Sequence, residues 1–149
     1  DINFVKKAIK KILEIREDMV FMFMNTEPFL RNKNIIYLDR TIDLEKKKKF
    51  INTCDYMIHA RERGETFGLA VAEFSIQNKP VITYAASPEK AHLDILQDNC
   101  LKYSNYENLL TILKNLKKND QALSNNFYKC YSRFNVENVM ELFEKRFLN

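Results

Sequence analysis

The chain has 149 residues, 46% of them hydrophobic and 30% charged, with a net charge of +4. That length and balance fit one soluble globular domain with a real core, and they exclude a disordered or collagen-like chain. No apolar run approaches the roughly 20 residues that span a bilayer, and the scattered lysines lack the aromatic interleaving of single-strand nucleic-acid binders. From Asn3 to Arg16, apolar residues recur at helical spacing (Phe4, Val5, Ala8, Ile9, Ile12, Leu13), with Asn3 as the expected N-cap. Met19 to Met24 reads as a strand covered on both faces. A loop with Pro28 follows, then a strand over Ile35 to Leu38 and a turn from Asp39 to Ile42. Asp43 caps a helix reaching about Cys54, with Leu44, Phe50 and Ile51 inward and the Lys46–Lys49 run as a solvated face.

Tyr56 to His59 and Pro80 to Tyr84 suit two further buried strands. Between them stand Gly64 and Gly68, the two glycines of the chain. Their closeness predicts special backbone there, or close approach of the backbone to something. A helix is expected from Phe67 to about Gln77, apolar nearly all round and therefore buried, with Glu73 as its one charge. With a helix starting at Phe67, Glu65 and Glu73 stand about 12 Å apart along the axis. The amides of Phe67, Gly68 and Leu69 are then free donors at a positive helix end, a seat for phosphate. An anion seat flanked by two carboxylates suits a ligand with hydroxyls at both ends and phosphate between. The bland alternative is a strand–helix–strand unit in which a neighbouring lysine satisfies Glu73.

Beyond it, Ser87-Pro88 is expected to open a helix ending near Gln97, and Cys100 to Tyr103 forms the last strand. Ser104 and Glu107 read as a capping box ahead of a helix carrying Leu109, Leu110, Leu113 and Leu116 on one side. Helices are also expected over Gln121 to Tyr131 and Asn135 to Phe147, the latter with an apolar face of Val136, Val139, Met140, Phe143 and Phe147. Strands alternating with helices predict a doubly wound, Rossmann-like parallel α/β sheet, with ligands beyond the carboxyl ends of its strands. His59, the loop to Gly68, Asp39 to Ile42 and Ala85 to Ser87 fall at that edge. Cys54, Cys100 and Cys130 show no metal-ligand spacing, so reduced thiols in the cytoplasm are the simplest reading, with no metal site.

The run Glu65-Thr66-Phe67-Gly68-Leu69-Ala70-Val71-Ala72-Glu73, followed by Asn78-Lys79-Pro80-Val81-Ile82, resembles the E-x7-E signature of family 4 glycosyltransferases. These are retaining enzymes of the two-domain GT-B fold, and the signature belongs to their C-terminal, donor-binding domain. The resemblance implies that Glu65 contacts the donor sugar as the catalytic position. It also implies that the Phe67–Leu69 backbone lies by the distal phosphate and that Glu73 holds the ribose hydroxyls. A UDP- or GDP-sugar donor is implied, with no further cofactor. Arg61 and Arg63 are candidate phosphate partners and His59 a candidate donor or acceptor contact, or all three are ordinary solvated or structural residues. His92 is a weaker candidate.

The family's domain begins with a strand and a loop carrying an Arg and a Lys, and follows an N-terminal acceptor domain. Asp1 already stands at the helix after those features. The chain therefore reads as a fragment, residues 1–149 being a nucleotide-sugar-binding domain lacking its first strand. Marginal stability or self-association, and no sugar transfer by the chain alone, are the expectations. Two other readings stay open: a noncatalytic nucleotide- or phosphate-binding module, and a regulatory α/β domain that binds only partners.

Overall fold

A computed structural model describes residues 2–117 and 125–148. Helix α1, Asn3–Leu13, buries Val5, Ala8, Ile9 and Ile12, the i, i+3, i+4, i+7 stripe of its sequence. Burying Val5, Ile9 and Ile12 contributes about 1.5–3 kcal/mol each. Asn3 is the first helical residue rather than the cap. Ile2 takes the cap position with no side-chain bond, because it is drawn into the core. After α1 come strands β1, Phe21–Met24, and β2, Ile35–Leu38, paired in parallel with Phe21 opposite Ile35. Met19 and Val20 stay outside β1, and the strand is only part-covered, so burial on both faces does not hold.

Helix α2, Leu44–Thr53, starts as expected, with the Asp43 carboxylate accepting from the amides of Glu45 and Lys46. Ile51 is buried, but Leu44 lies in the exposed first turn. Strand β3, Met57–His59, precedes a two-residue strand β4, Gly64–Glu65, and helix α3, Leu69–Ile76. Strand β5, Val81–Tyr84, pairs in parallel with β3 on one side and with β7, Leu101–Tyr103, on the other. Between β5 and β7 run β6, Glu89–Lys90, and helix α4, Ala91–Leu96. The α4 helix begins three residues after Pro88. Residues 89 and 90 are extended and pair with β4, and the Ser87 hydroxyl donates to Tyr84 and Glu89 carbonyls instead of capping a helix.

Helix α5, Tyr106–Asn115, is capped by Asn105 rather than Ser104; its side chain accepts from the Asn108 amide. Asn108 Oδ1 in turn accepts from the Ser104 amide, a reciprocal exchange shifted one residue from the expected box. The start of the helix expected from Gln121 lies outside the described residues. From 125 onward its remainder is turns and a short 3-10 helix, Cys130–Arg133. The final helix, α6, Val136–Phe147, forms where expected but buries none of its residues, and its apolar face stands in solvent.

Helices cover both faces of the β3–β5–β7 sheet. Ile82 and Tyr103 point into a core with α1 and α5, while Val81 points into one with Ile51, Val71, Phe74, Leu96 and Tyr131. Arg16 ties the first layer together, donating to the carbonyls of Leu113 and Leu116 at the end of α5. All strand pairs are parallel, as expected of a doubly wound sheet. The sheet is split, however. Among the described residues β1 has only β2 as a partner and β3 only β5. A cavity of about 710 Å³ lies between them, lined by Phe21 and Met22 of β1, Ile58 and Ala60 at β3, and Val5 and Ile9 of α1. No described helix is long and apolar enough to cross a membrane.

Candidate functional site

The carboxyl edge of β3 carries the site. His59 ends the strand, and residues 60–68 loop outward before α3. Pairing of β4 with β6 pins the middle of that loop: Gly64 lies opposite Glu89 and Glu65 opposite Lys90, and the Glu89 amide donates to the Arg63 carbonyl at 2.9 Å. Both glycines have left-handed backbone, φ +76° at Gly64 and +89° at Gly68. At Gly64 the close approach is to the protein itself, since a Cβ there would stand 1.9 Å from the Glu89 carbonyl oxygen. At Gly68 a Cβ would meet Glu65 Cβ and His92 Cβ, both at 3.3 Å.

Left-handed backbone at Gly68 cannot continue a helix backwards, so α3 begins at Leu69 with Gly68 as N-cap. The amides free at this positive end are therefore those of Gly68, Leu69, Ala70 and Val71, and Phe67 is not among them. The expected 12 Å axial separation fails for the same reason. Helical rise applies only from Leu69 to Glu73, about 6 Å, and Glu65 lies off the axis. Nor is α3 buried all round: Leu69 is 74% exposed and Ile76 46%, while Val71, Phe74 and Ser75 face inward.

Glu65 is the most constrained carboxylate of this edge. Arg61 Nη1 donates to Oε1 at 2.9 Å and to Oε2 at 3.0 Å, and His59 Nε2 stands 3.4 Å from Oε1. Burial alone would raise its pKa, but the bonds and charge from Arg61 and His59 prevail and hold it below the usual carboxylate range. Oε2 has one of these partners and Oε1 two, so Oε2 has more capacity left for a ligand hydroxyl. His59 is buried. That lowers its pKa, against the opposing pull of Glu65. Arg63 is exposed.

Glu73 lies one helical turn into α3 and pairs with Lys47 of α2, both half-exposed. Lys47 thus leaves the solvated face to which its neighbours belong. Of the sequence-derived candidates, His59, Arg61 and Glu65 form one hydrogen-bonded cluster with Gly68 packed against Glu65. Glu73 stands in a separate pair. Phe67 is anchored from behind: its ring packs edge-on against Tyr131 and Phe134 at 5.3 and 5.2 Å, and its carbonyl accepts from the Tyr131 hydroxyl at 2.5 Å.

Sequence reasoning missed Tyr131, Thr83 and the pairing of Glu89–Lys90 with Gly64–Glu65. Tyr131 and Ser75 share a buried exchange, the Ser75 hydroxyl donating to Tyr128 O and accepting from the Tyr131 amide. Nothing local in the sequence marks such contacts, which join positions over fifty residues apart. The three thiols are free, and burial raises their pKa, that of Cys100 to about 11, so none is an activated nucleophile. No cluster of three metal-ligating side chains occurs among the described residues.

No protein-family model matches the sequence, and no curated protein matches it. Among solved structures, the chain is similar to the crystal structure of Anabaena HepE in complex with UDP-glucose, with a TM-score of 0.59 and 16% identity. The match covers 76% of this chain and 32% of that one, so this chain spans about a third of that protein's length. At such identity the likeness is one of fold, a Rossmann-like parallel α/β arrangement.

Proposed function

We propose that the chain is the donor-binding domain of a retaining glycosyltransferase of GT-B architecture, acting on a nucleoside diphosphate sugar in the cytoplasm. The carrying observation is Glu65: an ionised, 17%-exposed carboxylate, clamped by Arg61 and His59 three residues ahead of a left-handed glycine and a helix N-terminus. In this reading the Gly68–Val71 amides face the distal phosphate, Glu65 Oε2 accepts from sugar hydroxyls and Glu73 from the ribose. The similarity to a fold that holds UDP-glucose in HepE supports the assignment of ligand class. The carbon–oxygen bond to the diphosphate breaks and the leaving oxygen takes the electron pair. A bond to the acceptor oxygen then forms on the same face, and the acceptor's hydroxyl proton passes to the departing diphosphate oxygen. The protein's part is placement and stabilisation of the leaving charge. The parent chain would add the acceptor domain.

A second reading, a noncatalytic nucleotide-binding module, draws on the Lys47–Glu73 pair, which satisfies Glu73 without any ligand. Isothermal titration with UDP, GDP and UDP-glucose tests the binding. We expect Glu65→Gln to weaken UDP-glucose while sparing UDP. Absence of binding by all three would end both readings. Hydrolysis of UDP-glucose by the parent chain separates them.

A further inference from the structure

Behind Glu65 lie two buried histidines joined by one hydroxyl. His59 and His92 have ring centroids 4.9 Å apart, and Thr83 of β5 bridges them. Its Oγ1 is 2.9 Å from His59 Nδ1 and 3.1 Å from His92 Nε2. Register explains the meeting: His59 and Thr83 are direct partners across β3 and β5, on the face that α4 covers with His92. Thr83 and His92 are fully buried and His59 is 5% exposed.

Counting protons fixes the direction of this chain. A threonine hydroxyl owns one proton, so it donates to one ring and accepts from the other. His59 Nε2 faces the ionised Glu65 carboxylate, where a bare nitrogen would set lone pair against lone pair. Nε2 therefore carries the hydrogen, and in the neutral ring Nδ1 is bare and accepts from Thr83. Thr83 must then accept from His92 Nε2–H, which leaves His92 Nδ1 bare. That nitrogen is the one buried side-chain polar atom without a hydrogen-bond partner among the described residues. Burial lowers the pKa of both rings; on His59 the Glu65 carboxylate pulls the other way and Arg61 adds to the lowering, while on His92 the His59 ring adds to it and the Glu65 backbone carbonyl, the Glu65 carboxylate and Asp94 oppose it.

We propose that His92, Thr83 and His59 form a directional hydrogen-bond relay that positions the Glu65 carboxylate, protons being donated in the order His92, Thr83, His59, Glu65. The relay rests on the donor-binding reading only in making Glu65 a ligand contact. All three are positioning residues, acting through Glu65.

Long-range proton–nitrogen NMR of the chain at about pH 7.5, where both rings are neutral, tests the direction without any ligand. The expected result is a hydrogen on Nε2 and a bare Nδ1 in both rings. A His59 ring protonated on Nδ1 overturns the relay. Thr83→Val keeps the shape and removes the hydroxyl. It should mix the His59 tautomers and weaken UDP-glucose roughly tenfold, with UDP unchanged and Thr83→Ser restoring both. Wild-type tautomers and affinity in Thr83→Val, or no recovery in Thr83→Ser, would also overturn it. If Thr83→Val does not fold, the wild-type tautomers decide. If the chain binds neither UDP nor UDP-glucose, the donor-binding reading fails, and the tautomers still decide the relay.

Discussion

Replacing Gly64 by alanine isolates what holds Glu65 in place. A side chain at φ +76° costs about 1–2 kcal/mol in backbone strain alone. Gly68→Ala, at +89°, carries the same cost and serves as the internal control. The difference lies in what each Cβ meets. At Gly68 the neighbours are side-chain carbons at 3.3 Å, which move by tenths of an ångström. At Gly64 the neighbour is the Glu89 carbonyl oxygen at 1.9 Å, with Ser87 Oγ at 2.7 Å. Backbone cannot rotate aside, so β4 and β6 must separate, with loss of hydrogen bonds of about 1 kcal/mol each. Gly64→Ala should therefore lose about 3–4 kcal/mol and Gly68→Ala about 1–2, which for a domain of this size is about 6–16 °C against 2–8 °C in Tm. Circular dichroism melts of the two variants provide the comparison. A Gly64→Ala melt equal to or above that of Gly68→Ala would refute the claim that the β4–β6 ladder pins the loop.

Glu73→Gln should change stability by less than about 1 kcal/mol, since its pair with Lys47 is half-exposed, yet weaken UDP binding by about 1.5–3 kcal/mol. Titration alongside a urea melt checks both, and unchanged affinity would remove Glu73 from the site. Gly68→Val should reduce affinity for UDP far more than for uridine, because it obstructs the phosphate end of α3; equal losses would mean that the glycine serves packing only. His59 and His92 have lowered pKa values in the fold, so as the pH falls the unfolded chain takes up protons before the native one does. Stability is then intact above their ordinary 6.5 and declines below it, with Glu65 adding a further loss below 4.5. A urea midpoint that stays constant from about pH 7.5 to about pH 5 would contradict this. Tyr131→Phe leaves the Phe67 carbonyl without its donor and should cost about 1–3 kcal/mol, read as a drop in Tm.

What was legible in the sequence was local. Ile35–Leu38 is a strand and Asp43 a cap because alternation and capping are decided within a few residues. Parallel order followed from the alternation of strands and helices. The departures have long-range causes. Glu89–Lys90 is extended because it meets Gly64–Glu65, twenty-odd positions earlier, which no local pattern announces. An all-apolar α3 does not say which of its sides lies open, so the exposure of Leu69 has no local signal in the sequence. His59, Arg61 and Glu65 were individually visible. Their common hydrogen-bond cluster, and Thr83 and His92 behind it, needed the register of β3 against β5.

The gap between β1 and β3 also has a kinetic consequence. In parallel ladders, alternate residues bond to opposite sides. Phe21 and Asn25 amides bond toward β2, and the Met57 amide toward β5. The amides of Met22 and Ile58 therefore face the cavity side, where no described strand receives them. Strand β5 alone among the described strands is bonded along both edges. Protection against amide exchange should therefore fall off sharply from β5 outward, so that Met22 and Ile58 lose label quickly. The most durable part of the sheet is then the strand that carries Thr83, beneath the relay, and the least durable is its unfilled middle.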